Sequence, residues 1–453
     1  MGQGKNTSNV VEGRLNMSQQ PPLIVLQDWL DSYLNFELLP AKNIFWLDTM
    51  KYLCQRFKDP QKAYKTVHVA GSKGKGSVSI MMASVLKEAG FTTGLYTSPH
   101  ITNFEERISL TGQPFSDKIY EESVLELMPL IDSIIPEQLP EERSITWFEL
   151  VTTYAFLTFR KAKCQWAVFE TGMGGRLDAT NVIQPEICII TPIELEHIEF
   201  LGDTIEKIAA EKAGIIKPGI PVCIATQQEK AMKVFLQVAK EKGCPVFTIE
   251  EMIQSLSVNF TNKNMEITIN SPIFSRPLKT NLSLLGKFQA QNACLVAIAA
   301  KTLFPSIDES IIERGLAKAK LPGRFEIIGT EDNPIISDGA HTEQSIMFSL
   351  ETLQRIFPNK NKHLLFACAA DKNIEKIAPL FTQFDNITLT CPGERKASDP
   401  ERMKAAFAKA GLKFQFIQNC KEAIKLAKEK SSIYKSTLLV IGSFYLLAEF
   451  KSV

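Results

Sequence analysis

A chain of 453 residues exceeds one typical domain and is long enough for two or three. Its 51 Lys and Arg nearly balance 50 Asp and Glu, and a formal net charge of +1 offers no electrostatic case for nucleic acid or an anionic membrane surface. At 45% hydrophobic and 22% charged residues the composition is that of a soluble globular protein, and its longest apolar stretch, near "STLLVIGSFYLL", is broken by Gly442 and Ser443 short of a membrane span. The N-terminus carries no charged-then-apolar export signal, and Asn6 stands where an acylation site needs Ser or Thr, so a cytoplasmic location is expected. Nine cysteines are scattered singly without a C-x-x-C pair, which reads as buried reduced thiols.

In chain order, residues 1–20 are polar and aperiodic and read as a disordered lead-in, with Met17 an alternative start. From Lys65 strand-like runs alternate with amphipathic helices: "KTVHVA", a helix to Gly90, "GLYTS", then "QWAVFE", "EICIITP", the helix "TIEKIAAEKAG", "PVCIA" and the helix "EKAMKVFLQVAKEKG". Such alternation predicts a mostly parallel sheet covered by helices on both faces. Over 255–285 the pattern changes to short alternating strands, "SVNF", "MEITIN" and "NLSLL", which predict a small antiparallel patch, followed by a helix over 287–303. A second alternating series, "RFEIIG", "HLLFACAAD", "NITLTC", "KFQFIQ" and "TLLVIGS", follows "KAKLPGR", where Pro322 and Gly323 interrupt both periods. The expected domains are therefore 21–319 and 320–453.

The stretch "HVAGSKGKGSVS", His68 to Ser79, follows a strand and opens a helix, as a phosphate-binding loop must, but its spacing departs from G-x-x-x-x-G-K-[ST]. Its glycines let backbone N–H groups turn toward an anion, the helix N-terminus adds a favourable dipole, and Lys75 is placed to reach phosphates; the alternative is a glycine turn with incidental lysines. In "FETGMGGRLDATN", Glu170 ends a strand, where open α/β sheets bind ligands, and a carboxylate there can hold Mg²⁺ or simply cap a helix. His197 in "ITPIELEHIEFLG" follows another strand end; a lone histidine is more often structural, and imidazole suits softer metals than Mg²⁺. Lys212 in "AAEKAGIIKPG" reads as a lysine on a solvated helix face. Arg324, Asp338 and His341, in "LPGRFE" and "SDGAH", can grip a nucleotide or form a polar turn.

Taken together these stretches resemble the Mur ligase superfamily and, within it, the folylpolyglutamate synthase/dihydrofolate synthase family, from about residue 24 to the C-terminus. That family's loop reads G-T-N-G-K-G-S, and Gly71 to Ser77 read G-S-K-G-K-G-S. "YTSPH", "ERI", "ETGMGGRLDATN", "EH", "EKAGIIKP", "LPGRFE", "DGAH" and "ADK" follow in the family's order. The resemblance implies an N-terminal P-loop-type, mostly parallel α/β domain and a smaller C-terminal Rossmann-like α/β domain. It implies ATP contacts from Lys73, Gly74, Lys75, Gly76, Ser77, Asn292, Arg324, Asp338 and His341. Two Mg²⁺ ions would be held by Ser98, Glu170, His197 and a carbamate on Lys212. The pterin would be lined by Thr146, Trp147, Phe148 and Glu149 with Leu177, Asp178 and Ala179. Catalytic roles fall to Lys75, Lys212 and His197.

The implied reaction is ATP-dependent: a folate carboxylate takes the γ-phosphate, and the amine of L-glutamate displaces phosphate from the acyl phosphate. The expected partners are ATP, L-glutamate and a reduced folate or dihydropteroate, with the protein a monomer. Three departures stand out. Phe288 replaces the family's His, Thr342 replaces the Asn of D-G-A-H-N, and "NIFWLDT", 43–49, lacks a lid's basic residue. A cell-wall amino-acid ligase is the nearest rival, although only about 70 residues precede Gly71, too few for the separate domain such enzymes carry there. A nucleotide-binding switch without ligation is the rival of a different class.

Overall fold

A computed structural model of the protein describes residues 20–35, 46–261, 264–393 and 397–453, so the polar lead-in, except Gln20, and residues 43–45 lie outside the described residues. The chain is α/β and divides into two compact units. One comprises residues up to Gln254 with Asn292–Gly315; the other comprises Ser255–Gln291 with Leu316–Val453.

The first unit is built on a seven-stranded sheet. Its strands are β1 (Lys65–Ala70), β2 (Thr93–Tyr96), β3 (Ile108–Leu110), β4 (Trp166–Glu170), β5 (Ile187–Ile190), β6 (Val222–Ile224) and β7 (Val246–Thr248), in the order β3-β2-β4-β1-β5-β6-β7. All neighbours pair parallel except β2 and β3. The interior strands bury nearly every residue, as strands covered on both faces must, which is why they read as continuous apolar runs. The helix Trp147–Lys161 buries 11 of its 15 residues, so it serves as core rather than as a surface helix. Its Tyr154, Phe156 and Phe159 share one apolar cluster with Tyr96 of β2 and Phe169 of β4. A separate apolar cluster joins β5 and β6 to the helices Ile205–Ala213 and Glu229–Glu241 through Ile190, Ile208, Ile224 and Phe235. Strand order reverses beside β1, which opens a crevice at the carboxyl ends of β1, β4 and β5.

The second unit contains an antiparallel sheet of β8 (Ser255–Phe260), β9 (Met265–Asn270) and β10 (Leu278–Leu282), ordered β10-β9-β8. The last strand lies earlier than "NLSLL" predicts. Leu278, Thr280 and Leu282 alternate inward with Lys279 and Asn281 outward, and this period of two, not the apolar pair Leu284-Leu285, sets the pairing. A six-stranded sheet follows, of β11 (Glu326–Gly329), β12 (Pro334–Asp338), β13 (Lys362–Phe366), β14 (Asn386–Leu389), β15 (Gln415–Phe416) and β16 (Thr437–Ile441). Its order is β11-β12-β16-β13-β14-β15, parallel except at β11. All nine cysteines are free and all but Cys244 and Cys391 are buried. Among the described residues no helix is long and apolar enough to cross a membrane.

Candidate active site

The residues from Gly71 to Lys75 leave β1 and enter the helix Lys75–Glu88 through Gly74, whose φ of 85° is one that glycine adopts without strain. The loop is held from behind by backbone: Ser72 N and Lys73 N donate to Pro192 O at 2.9 and 3.2 Å. The Asn292 side chain lies against Gly74, where a Cβ would stand 2.9 Å from its Oδ1, so the structure brings Asn292 to the phosphate loop. Ser77 is buried in the helix's first turn, while Lys73, Gly74, Lys75 and Gly76 are half-buried along the rim.

Two lysines converge on one carbonyl. Lys75 Nζ donates to Gly71 O at 3.0 Å, and Lys212 Nζ donates to the same oxygen at 2.8 Å. Lys212 is 1% exposed, which overturns its reading as a solvated helix-face lysine. Its helix buries Ile208, Ala209, Lys212 and Ala213, so the lysine belongs to the apolar face. Its partner is Glu196, at 2.8 Å. Burial, seconded by the Lys75 charge, pushes the Lys212 ammonium down to about 8 against the opposing pull of Glu196. Glu196 is itself held down at about 2: burial opposes ionisation, but Lys75 and Lys212 overcome it. Sequence reasoning assigned no role to Glu196, and its place beside His197 after β5 was the available signal.

On the other side of β1, Glu170 ends β4, is 4% exposed, and accepts from Ser98 N at 3.2 Å through Oε2. The structure therefore unites two predicted metal-side residues. His197 stands apart in character: it is exposed, with φ of 46°, at the start of the short helix Ile198–Leu201. Among the described residues, no three His, Cys, Asp or Glu side chains gather as a metal cage.

The predicted acceptor-side residues also come together. Thr146 and Glu149 form a capping box that starts the helix Trp147–Lys161, with Glu149 Oε2 accepting from Thr146 N and Oγ1, both at 2.8 Å. Burial pushes the Glu149 carboxyl up to about 6. Trp147 is buried, and Phe148 turns its ring onto Gly172, where a Cβ would meet it at 2.5 Å. Asp178 is buried and accepts from Gly172 N and Met173 N, at 2.9 and 3.0 Å, which shapes the glycine turn after Glu170. Leu177 is half-buried and Ala179 buried beside it.

In the second unit, Arg324 stacks its guanidinium over Phe444 at 4.5 Å and His341 meets the same ring edge-on at 5.9 Å. Asp338, at the carboxyl end of β12, is buried; it accepts from Ala340 N at 3.1 Å and from Ser349 Oγ. Burial raises its carboxyl, while Ser349 and the Arg324 charge pull it back. Arg324 and His341 thus share the Phe444 ring, and Asp338 is joined to them through the Arg324 charge.

Residues 69–300 match the family model of the Mur ligase middle domain, and residues 323–444 match that of the Mur ligase glutamate-ligase domain. A dihydrofolate synthase/folylpolyglutamate synthase of Bacillus subtilis is 36% identical over 357 residues, covering 76% of this chain and 79% of its own. The chain belongs to the dihydrofolate synthase/folylpolyglutamate synthase family of Mur ligases. A relative of the same description from Mycobacterium tuberculosis is 31% identical over 81% of this chain and 79% of its own. The crystal structure of the Mycobacterium tuberculosis folylpolyglutamate synthase complexed with ADP and AMPPCP superposes with a TM-score of 0.83 at 27% identity, covering 95% of this chain and 98% of that one.

Against the family's pattern, Phe288 stacks on Phe348 with centroids 5.7 Å apart and rings 27° from parallel. Thr342 caps the helix Glu343–Ile356, accepting from Ser345 N, so a family Asn is replaced by another good N-cap residue. The family's loop spacing also has a steric test. Gly71 has φ of 149°, and a Cβ there would stand 1.8 Å from Thr191 Oγ1. Gly71→Ala is expected to destabilise the protein by about 2–4 kcal/mol through strain and overpacking. Adding Thr191→Ala should restore part of that. A denaturant melt of the two variants checks it, and wild-type stability in Gly71→Ala would contradict the close approach.

Proposed function

We propose that this chain is an ATP-dependent ligase that joins L-glutamate to a pterin acceptor, either dihydropteroate, tetrahydrofolate or both, and yields ADP and phosphate. The observation that carries the reading is the convergence, at the carboxyl ends of the central strands β1, β4 and β5, of the Lys75 loop, the Ser98–Glu170 contact and the buried Lys212–Glu196 pair. The Bacillus subtilis and Mycobacterium tuberculosis relatives, by name, synthesise dihydrofolate and folylpolyglutamate, and the Mycobacterium tuberculosis crystals hold adenine nucleotides, which supports ATP as co-substrate.

The task of such an enzyme is to hold anionic reactants together. The N–H groups of the Gly71–Gly76 loop and the helix N-terminus receive the phosphates, and Lys75 offsets their charge as the γ-phosphoryl passes to the acceptor's carboxylate. Phe148 and the turn after Glu170 hold the pterin side. In the second unit, Arg324, Asp338 and His341 are the proposed nucleotide contacts. The glutamate amine then attacks the acyl carbon, and phosphate leaves with the bonding electrons.

The donor set suits Mg²⁺: a hard cation usually takes one or two carboxylates plus substrate phosphates rather than an all-protein cage, and Glu170 with Ser98 beside it meets that description. Two ions would be held by Glu170, Ser98, His197 and a carbamylated Lys212, supplying charge neutralisation for the phosphates. Glu170→Gln is expected to raise the Mg²⁺ concentration for half-maximal ADP release about tenfold or more, because a neutral amide is a poorer ligand for a hard cation. An unchanged Mg²⁺ titration removes Glu170 from the ligand set.

The balanced charge offers no electrostatic case for nucleic acid or a membrane surface, which suits a protein that works on small molecules; the cytoplasmic location and the monomeric state are proposed from the family resemblance, and sedimentation with and without substrates tests the latter. A coupled ADP-release assay with glutamate and each pterin acceptor in turn tests the whole reading. Glutamate-independent ADP release would replace it with an ATP-hydrolysing switch.

A further inference from the structure

His68 lies in the middle of β1, in register with Phe169 of β4 and Cys188 of β5, and is fully buried. Its Nε2 is 2.8 Å from Thr180 Oγ1, and its Nδ1 is buried without a hydrogen-bond partner. Thr180 Oγ1 in turn donates to Asp178 Oδ1, which also accepts from Thr180 N at 3.0 Å. The other oxygen of Asp178 accepts from Gly172 N and Met173 N.

The direction of this chain is fixed by proton counting. An ionised carboxylate only accepts, and a hydroxyl has one proton. The Thr180 proton goes to Asp178, so its oxygen is left to accept, and His68 must carry its proton on Nε2. Burial, with the Lys217 charge second, presses the imidazole down to about 3, so the ring stays neutral and keeps this one tautomer at ordinary pH. A core histidine with one nitrogen left unsatisfied is a costly way to fill a strand. What the position gains is a rigid donor at a set depth beneath the turn after Glu170.

We propose that His68 is a positioning residue for the acceptor side: through Thr180 and Asp178 it sets the glycine turn at Gly172–Gly175, against which Phe148 packs. The proposal rests on the pterin-acceptor reading for its kinetic consequence, though not for its structural one. A neighbouring bond already orients the hydroxyl toward Asp178, and His68 removes its freedom to rotate away.

The experiment compares wild type, His68→Leu, His68→Gln and Thr180→Val. Hydrogen exchange at the peptide spanning Gly172 and Met173 is read first, without substrate. His68→Leu and Thr180→Val should accelerate exchange there about tenfold, with exchange in the second unit unchanged, and His68→Gln, which keeps an N–H donor at similar reach, should stay near wild type. In the glutamate-ligation assay the first two variants should raise KM for the acceptor about tenfold while KM for ATP changes less than twofold. Unchanged exchange at Gly172 and Met173 in both variants overturns the proposal, as does an equal rise in both KM values. If His68→Leu fails to fold, Thr180→Val decides by the same readouts. If the wild type ligates no glutamate onto any pterin, the reading of function fails, and the exchange measurement still decides the role of His68.

Discussion

Lys212→Arg is expected to abolish glutamate ligation, with a loss of about 10²–10³-fold or more, in a protein that still folds. The amine's surroundings favour its neutral form. Lys212 Nζ sits between Gly71 O and Glu196, sealed from solvent, and burial with the nearby Lys75 charge brings its pKa to about 8. At pH 7.5 about a quarter of such an amine is neutral, against roughly a thousandth for an ordinary lysine. In the proposed modification the ammonium first loses one proton, and the neutral amine then adds to CO₂: a C–N bond forms, one C=O π bond opens onto oxygen, and a second proton is released, so that a cation is replaced by a carbamate anion with two hard oxygens. Arginine keeps its charge at every working pH and cannot react in this way. Lys212→Ala should be equally inactive, but formate or acetate in solution should restore part of its activity by supplying the missing anion. Ordinary ligation by Lys212→Arg ends the carbamate proposal.

The same shift predicts a pH signature of stability. The folded pKa lies below the unfolded value of 10.5, so between pH 8 and 10.5 the unfolded chain binds more protons at this site than the native one. Below pH 8 the buried charge costs stability, and that cost is relieved as pH rises through the window. In CO₂-free buffer, wild type should therefore gain on the order of 3 kcal/mol relative to Lys212→Met between pH 8 and 10.5. Parallel stability profiles for the two would mean that the amine titrates normally.

Lys75→Ala is the second large effect: about 10²–10³-fold in kcat with little change in melting temperature. The loop's shape comes from its glycines and from the backbone bonds of Ser72 and Lys73 to Pro192 O, none of which involves the Lys75 side chain. The one bond that the side chain makes in the loop is to Gly71 O, which Lys212 still occupies after the substitution. The loss therefore falls on charge compensation at the transferring phosphoryl group. Near-normal turnover combined with a large fall in melting temperature would instead assign Lys75 to the fold.

Much of this was legible in the residues. The parallel strands were readable because burial on both faces leaves uninterrupted apolar runs, and the loop at Gly71–Ser77 because strand, glycines and helix occur in that order. Glu170 was legible by its place at a strand end. Lys212 reads as solvated because its neighbours in sequence are polar, yet Ile208 and Ala209, one turn earlier, already mark its face as the buried one. The role of Glu196 is hard to read from sequence because its partner is 16 residues away, a pairing that the fold creates. Thr146 and Glu149 carry the spacing of a capping box, so their contribution to helix initiation could have been read beside any ligand role.

Because Gly71 O receives both lysines, the proposed carbamate would give the site an order of assembly. Phosphates arriving at the loop would neutralise the Lys75 charge, and with it one of the two pressures that raise the uncharged, reactive fraction of Lys212. Nucleotide bound first should therefore slow capture of CO₂, whereas CO₂ bound first creates the anion that nucleotide and its counterions then enclose. Freshly desalted enzyme mixed with ATP before bicarbonate should show a lag that the reverse order of addition lacks, a history dependence that an unmodified Lys212 would not produce.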